Sequence, residues 1–184
     1  MPPRVAGTNV YKANKAARAA IMTSKDIRAW IMNEFTTPDV STILWFTGDA
    51  TAPKVILCSW YADYKLPILD PTVVNLVKYA ELHHWPLILG VDSNAHSTLW
   101  GGSENNPRGD ALDGFITQHH LSVENKGTDV TFDTGYRSSV IDITITNHHL
   151  PLSVAKWRVD DRNSLSDHNL IQFELSHGTV PAAG

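Results

Sequence analysis

The sequence has few of the features that mark a secreted or membrane-bound protein. Only one of its 184 residues is a cysteine, Cys58, so the chain cannot form an internal disulfide and does not require an oxidising compartment. Its longest apolar runs, such as Pro86 to Val91, fall far short of the ~18 residues that a membrane span needs. The N-terminus has no apolar core of the signal-peptide type. We therefore expect an intracellular protein, or a fragment of one, without a membrane partner.

The chain also lacks an excess of positive charge. Fifteen Lys and Arg residues stand against 19 Asp and Glu residues, which gives a net charge of −4. A protein that coats nucleic acid is normally basic, because Lys and Arg neutralise phosphates and release counterions. The charge argues against such a protein, but not against an enzyme that meets nucleic acid at one local site built from carboxylates. Apolar residues make up 42% of the chain, enough for one folded domain.

Hydrophobic patterning predicts an α/β or α+β domain, because strands and helices alternate without a regular repeat. The stretch from Gly7 to Ala17 is small and polar, which is typical of a loop. We predict a flexible arm over 1–17, one domain over 18–176 and a frayed tail over 177–184. Helices are predicted over 71–82 and 109–120, and strands over 19–23, 40–47, 55–61, 86–91, 121–124, 130–132, 140–146, 157–159 and 170–175.

Three polar groups lie next to predicted strands or within them. The segment from Asp92 to Asn94 follows a core strand, Asp142 lies within an apolar run, and the segment from Ser166 to His168 precedes the last strand. The first and third are also typical of turns and helix caps, because such side chains bond to nearby backbone. A carboxylate within a strand normally has a partner, and an imidazole is a suitable one. Together these groups can hold a hard cation such as Mg²⁺ and polarise a phosphate.

These motifs resemble those of the endonuclease/exonuclease/phosphatase superfamily. The sequence GVDSNA at 90–95 is similar to its GDFNA signature, with a valine inserted, SVID at 139–142 is similar to its S-x-I-D strand, and SDH at 166–168 matches its closing motif. The stretches RAAI at 18–21, LWG at 99–101, RG at 108–109 and NKGTDVTF at 125–132 are similar to endonuclease domains of insect-type non-LTR retrotransposons. The resemblance spans roughly residues 18 to 175.

The resemblance implies a DNase I-like fold, a four-layered sandwich of two β-sheets flanked by helices. It also implies Mg²⁺-dependent hydrolysis of a phosphodiester bond in DNA, with Mn²⁺ as an alternative metal. The implied metal ligand is Asp167. The implied catalytic residues are Tyr61, Asp92, Asn94, Asp142 and His168.

The resemblance also implies a role for each catalytic residue. Asp92 and Asn94 would orient the attacking water and contact the scissile phosphate. His168 would contact or protonate a phosphate oxygen, and Asp142 would fix its ring. Tyr61 would contact the phosphate, although its position is equally typical of a half-buried aromatic at a strand end.

DNA contacts are expected in the loops around the metal site. Arg and Asn suit phosphates and base edges, and an aromatic side chain can wedge or stack between bases. Phe132 as a core residue and Arg137 as a solvated loop residue remain alternatives. Besides Asn94, the candidates are His96, Arg108, Thr131, Phe132 and Arg137.

One part of the family pattern has no counterpart in residues 1–17. The family begins with a strand that carries an Asn, and its next strand ends in a Gln-Glu-Pro-like motif whose Glu binds Mg²⁺. We therefore expect a domain that lacks these two strands, with one sheet short and an edge exposed.

Three functions stay open from the sequence. The first is a nicking endonuclease within a retroelement polyprotein, attached to a reverse transcriptase and nuclear if it acts on chromosomal DNA. The second is a catalytically inactive relative that binds nucleic acid or a protein. The third is a phosphatase of the same superfamily.

Overall fold

The structure is a computed structural model and describes residues 7–160, 162 and 164–177. Parts of the predicted arm and tail, residues 1–6 and 178–184, lie outside this description. The strands are β1 (Thr8–Tyr11), β2 (Ile21–Ser24), β3 (Arg28–Ile31), β4 (Val40–Phe46), β5 (Val55–Tyr61), β6 (Leu87–Asp92), β7 (Leu121–Val123), β8 (Phe132–Asp133), β9 (Ser138–Ser139), β10 (Asp142–Asn147), β11 (Leu152–Asp160) and β12 (Leu170–His177). The helices are α1 (Pro71–Leu82) and α2 (Pro107–Gln118).

A six-stranded sheet forms the centre of the domain, in the order β3-β4-β5-β6-β10-β7. Strands β5 and β6 are parallel and are connected through α1, whereas the other neighbours in this sheet are antiparallel. Three two-stranded pairs surround the sheet: β1-β2, β8-β9 and β11-β12. The domain is therefore mixed α/β, as the patterning predicts.

Alternation along the central strands separates two faces of the sheet. On β5, Cys58 and Trp60 are buried in the larger core, which also contains Leu76 of α1 and Leu112 of α2. Both helices thus cover this face. The opposite face packs against the β11-β12 hairpin, whose partly buried side chains join a smaller cluster. The members of that cluster are Trp45, Ala52, Val55, Leu57, Ile88, Leu150, Leu152, Phe173 and Leu175.

Both predicted helices are confirmed, and their first residues have a local cause. Asp70 caps α1, because its carboxylate accepts a hydrogen bond from the Thr72 amide at 2.7 Å. Helix α2 begins at Pro107, two residues before the predicted start, because the Asn106 side chain accepts from the Gly109 amide at 2.7 Å. Proline occupies the first turn of each helix, where its missing N–H costs nothing. No helix among the described residues is long and apolar enough to cross a membrane.

The structure differs from the sequence prediction at two polar strands. Thr8–Tyr11, within the predicted loop, forms β1 and pairs with β2. Arg28–Ile31 forms β3, which the patterning does not predict. Strand β3 lies at the edge of the sheet and exposes Arg28 and Trp30, so it lacks the apolar signal of a buried strand. The short strand β9 is also not predicted, and β11 begins at Leu152, five residues before its predicted start, whereas the remaining strands lie at or beside their predicted positions.

Two glycines of α2 give a matched test of the packing at the start of this helix. A Cβ at Gly109 would collide with the His96 carbonyl, whereas a Cβ at Gly114 meets nothing within 4 Å. We expect Gly109→Ala to destabilise the domain and Gly114→Ala to stabilise it by about 0.5–1 kcal/mol, the usual gain for alanine over glycine in a helix. Urea unfolding of both variants measures the difference. Equal stability of the two would contradict the close contact at Gly109.

Candidate active site

Three polar side chains form one row across three neighbouring strands, at the ends of β5 and β6 and the start of β10. Asp92 at the end of β6 is paired with Tyr61 on β5 and with Asp142 on β10. Residues paired across neighbouring strands point to the same face of a sheet. This face is the one opposite the two helices, and all three residues are half-buried there. The strand register alone therefore brings together residues that are 31 and 50 positions apart in sequence.

His168, in the loop before β12, completes the row. Its Nδ1 lies 3.0 Å from both carboxylate oxygens of Asp142. Its Nε2 lies 3.6 Å from Oδ2 of Asp92, which is beyond hydrogen-bond distance. Phe132 packs edge-on against the ring, with 5.0 Å between the ring centroids. Asp142 and Phe132 thus orient the imidazole, and Nε2 remains free to face a ligand.

The row has an unusual charge balance. Burial, together with the neighbouring charge of Asp142, raises the pKa of Asp92 to about 6, against the opposing effects of His168, the Asn94 amide and Arg108. The hydrogen bond to Asp142 raises the pKa of His168. Burial also raises the pKa of Tyr61, so its hydroxyl stays protonated. The site therefore offers a carboxylate whose basicity suits proton transfer near neutral pH.

The residues of the row fit a divalent cation. Asp92, Asp142 and His168 offer ligand atoms within 4.8 Å of one another. Among the described residues, they are the group of three His, Cys, Asp or Glu side chains that could hold a metal ion. Oδ1 of Asp92 is buried without a hydrogen-bond partner. A buried carboxylate oxygen with no donor is costly, and a cation would satisfy it.

A cleft opens over this row. It has a volume of about 360 Å³ and is lined by Tyr61, Asp92 and Asp142 on the sheet, by Ile171 and Phe173 on β12, and by Arg18. Gly90, in the middle of β6, is exposed at its floor. The β11-β12 hairpin therefore covers only part of this face, and the polar row is open to a ligand.

The Endonuclease-reverse transcriptase family model matches residues 55–172 of this chain, a segment that contains the whole polar row. The chain belongs to this family. The resemblance to the endonuclease/exonuclease/phosphatase superfamily is thereby confirmed.

Two curated relatives are described as proteins of type-1 retrotransposable elements. The chain is 30% identical over 176 residues to a putative 115 kDa protein in the type-1 retrotransposable element R1DM of Drosophila melanogaster, a match that covers 90% of the chain and 17% of that protein. It is 32% identical over 99 residues to the Retrovirus-related Pol polyprotein from the type-1 retrotransposable element R1 of Bradysia coprophila, which covers 49% of the chain and 10% of the polyprotein. The chain thus spans a small part of the length of these relatives.

Solved structures agree with the fold. The endonuclease domain of TRAS1, a telomere-specific non-LTR retrotransposon, superposes with a TM-score of 0.79 at 29% identity, covering 92% of this chain and 79% of that one. An endonuclease/exonuclease/phosphatase family protein from Bacteroides thetaiotaomicron superposes with a TM-score of 0.61 at 18% identity, covering 94% and 76%. The second match supports the shared fold only.

In this endonuclease-reverse transcriptase domain, four of the DNA-contact candidates share a second cleft beside the polar row. The cleft has a volume of about 420 Å³ and is lined by Asn94, His96, Phe132 and Arg137, with serines of β9. Asn94 adopts a left-handed conformation, with φ of 47°, and its side-chain amide donates to the Ala62 carbonyl at 3.2 Å. This local turn places Asn94 at the border between the row and the second cleft.

Two DNA-contact candidates are placed differently from the sequence prediction. Thr131 is fully buried, and its hydroxyl accepts hydrogen bonds from the amides of Ile141 and Asp142, both at 3.0 Å. The guanidinium of Arg108 donates to backbone carbonyls of two loops. Their side chains are engaged by the protein itself, because each ties together segments that are distant in sequence.

The predicted metal ligand Asp167 is not a member of the metal-ligand group, by which we mean the three residues that could hold a metal ion. Its side chain is exposed, and its carbonyl accepts from the Asp133 amide at 2.8 Å. That bond attaches the loop before β12 to the hairpin formed by β8 and β9. Asp167 thereby helps to fix the backbone next to His168, while the metal-ligand group consists of Asp92, Asp142 and His168.

Two residues near the site were not predicted from sequence. Arg18 forms ion pairs with Asp39 and Asp63, at 2.6 and 2.7 Å, and its guanidinium lies 4.5 Å from the ring centroid of Tyr61. Tyr136, at the tip of the β8-β9 hairpin, is 98% exposed. The RAAI match at 18–21 could have drawn attention to Arg18, but a lone tyrosine in a turn gives no signal in the sequence.

Thr131 offers a test of how Asp142 is held. Thr131→Val keeps the shape of the side chain but removes the acceptor of two amides, so we expect a loss of about 1–3 kcal/mol in the free energy of unfolding. Thr131→Ser keeps the hydroxyl and serves as the matched control. The measurement is urea denaturation. If the valine and serine variants were equally stable, the hydroxyl would not hold the start of β10.

Proposed function

We propose that this domain hydrolyses a phosphodiester bond of DNA and introduces nicks with the help of a divalent cation. The observation that carries the proposal is the row of Tyr61, Asp92 and Asp142, joined by His168, at the floor of an open cleft. Membership of a family of endonuclease-reverse transcriptases supports it. The 29% identity to the TRAS1 endonuclease domain supports it further.

Each residue of the row has a proposed task in this reaction. Asp92 orients the attacking water and accepts its proton. His168 donates from Nε2 to a phosphate oxygen, because Asp142 holds Nδ1 and favours the charged ring. Tyr61 and Asn94 donate to the other phosphate oxygens. These donors face the place where negative charge develops on the phosphate in the transition state.

A cation adds charge to the same place. Asp92 is the proposed principal ligand, since its Oδ1 has no donor in the protein, and Asp142 contributes from the neighbouring strand. The resemblance also assigns a ligand role to Asp167, and we keep that role in the proposal. Mg²⁺ suits two carboxylates, and Mn²⁺ is an alternative. When bound, the cation stabilises negative charge on the phosphate.

DNA contacts are proposed for the second cleft and the adjoining hairpin. His96 and Arg137 supply polar and positive groups beside Asn94, and Phe132 supplies an aromatic edge. The exposed Tyr136 can stack on a base or enter the minor groove. Such a local site is compatible with the net charge of −4, because the contact does not rely on the charge of the whole surface.

The wider setting is proposed from the relatives. We place the domain in a retrotransposon polyprotein that also carries a reverse transcriptase, because the chain matches a short part of such a polyprotein. Nicking of chromosomal DNA would take place in the nucleus. We also propose the four-layered arrangement of the superfamily, of which the described residues supply the central sheet, its two helices and the β11-β12 hairpin.

A binding module without catalysis is the second candidate function. It is favoured by the small number of carboxylates in the metal-ligand group, two in all among the described residues. The phosphatase interpretation has only fold-level support, from matches below 25% identity. The experiment below distinguishes both of these functions from that of a nicking endonuclease.

The first test is nicking of supercoiled plasmid with Mg²⁺ or Mn²⁺ and with EDTA. We expect cation-dependent nicking, and a fall of about 10²–10⁴-fold in rate for Asp92→Asn, which removes the proton acceptor, and for His168→Ala, which removes a donor to the phosphate. His148→Ala, an exposed histidine in the turn after β10, is the matched control. Asp167→Ala tests the ligand that the resemblance implies.

The outcomes separate the candidates. Variants that nick as fast as the parent chain would contradict the site. A folded parent that binds DNA but does not nick with either cation would favour the binding module. Release of inorganic phosphate from a terminal phosphate without nicking would favour the phosphatase.

The second test addresses the DNA contacts. Arg137→Ala should weaken DNA binding at low salt and reduce the salt dependence of the affinity by about one phosphate contact, because the side chain lines the second cleft. Lys78→Ala removes the same charge from the exposed side of α1, behind the opposite face of the sheet, and should change neither quantity. Affinities are measured by fluorescence anisotropy over a salt series. Equal salt slopes for both variants would exclude Arg137 as a phosphate contact.

A further inference from the structure

The two loops that follow β5 and β6 begin next to the polar groups of the active site and leave the sheet side by side. The loop after β5 begins at Ala62, next to Tyr61, and the loop after β6 begins at Ser93, between Asp92 and Asn94. Because β5 and β6 are parallel neighbours, these loops leave the same edge of the sheet. Within the strands the backbone ladder fixes the spacing of Tyr61 and Asp92. Beyond the strands, other bonds must fix it.

Arg108, in the first turn of α2, supplies such bonds to both loops. Its Nε donates to the Ser93 carbonyl at 2.9 Å. Its Nη2 donates to the carbonyls of Ala62 and Asp63, at 2.8 and 3.1 Å, and its Nη1 donates to the Leu66 carbonyl at 2.7 Å. A guanidinium has five N–H groups in a planar fork, so four carbonyl bonds engage nearly all of them. Little donor capacity remains for a phosphate.

The start of α2 holds Arg108 firmly against the loop after β6. The Asn106 amide donates to the His96 carbonyl at 3.1 Å, and the Asn106 side chain accepts from the His96 amide at 3.3 Å. Gly109 packs so closely on the His96 carbonyl that a side chain would not fit. The arginine therefore extends from a fixed helix terminus, and its fork connects that terminus to the two loops.

We propose that Arg108 is a positioning residue, which sets the distance between Tyr61 on one side and Asp92 and Asn94 on the other through its bonds to the two loops. This inference rests on the proposed nuclease function, since the geometry it fixes is that of the polar row. A shared acceptor strengthens the arrangement, because the Asn94 side chain donates to the same Ala62 carbonyl, at 3.2 Å. Moving either loop would therefore also move Asn94.

Lysine is the informative replacement. Arg108→Lys keeps the positive charge but has three donors on one nitrogen, which cannot reach four carbonyls spread over two loops. We expect kcat for nicking to fall about 10²-fold, the cost of a misplacement of about 1 Å, with the Kd for DNA and its salt slope unchanged. A phosphate contact would behave in the opposite way. Arg28→Lys on the exposed edge strand β3 is the matched control and should change none of these quantities.

Hydrogen exchange of the free protein gives a readout that needs neither DNA nor activity. In Arg108→Lys, and in Arg108→Gln if the lysine variant is poorly folded, amides of residues 62–66 and 93–97 should exchange faster while the central sheet keeps its protection. Faster exchange together with a fall in kcat at constant Kd supports the proposal. Unchanged exchange, or a lower salt slope at constant kcat, overturns it.

Nicking and hydrogen exchange together test the role of Arg108 and the nuclease function independently. A folded parent chain that does not nick DNA contradicts the nuclease function, and the exchange rates still decide whether Arg108 holds the two loops. A parent that nicks, with Arg108→Lys within about twofold of it in kcat, leaves the nuclease function intact and overturns the role of Arg108.

Discussion

The register between β5, β6 and β10 is the constraint on which the site depends. It places Tyr61, Asp92 and Asp142 in one row on one face of the sheet. A slip of one residue in any of these pairs would turn that strand's polar side chain into the core beneath the helices. The buried residues next to them, Trp60 and Val91, resist such a slip, because it would expose them instead. The packing of the core therefore selects the geometry of the site.

The same register creates an electrostatic cost. Two carboxylates on neighbouring strands repel each other, and burial adds to the cost at Asp92, whose pKa it raises to about 6. The protein offsets part of this with His168, bound to Asp142, and with the nearby charge of Arg108. A positively charged ligand would reduce the remaining repulsion between the two carboxylates. A cation, or the positive end of a donor group, lowers the energy of the row more than water does.

Sequence patterns predict those parts of the fold and site whose signal is local. Apolar runs predict β4, β5 and β6, the Asp-Pro start predicts α1, and three short motifs predict the cluster of Asp92, Asp142 and His168. Strands β1 and β3 are not predicted, because each has only four residues and neither contains a run of buried apolar residues. The structural roles of Thr131 and Arg108 are not predicted for another reason. Their partners lie 10 to 46 residues away, and a threonine or arginine in a loop looks the same whether it contacts DNA or backbone.

Some positive side chains are free to contact DNA, whereas others are bonded to the protein itself. This distinction bears on how a domain with a net negative charge can bind DNA. Of the positive groups near the row, Arg18 is paired with Asp39 and Asp63, and Arg108 is bound to carbonyls. Neither is free to attract a phosphate. In the proposed function, attraction at close range is left to His168, to Arg137 and to a cation at Asp92. Since such a cation neutralises the carboxylates that would repel DNA, cation binding and DNA binding should be coupled, each strengthening the other by the same factor.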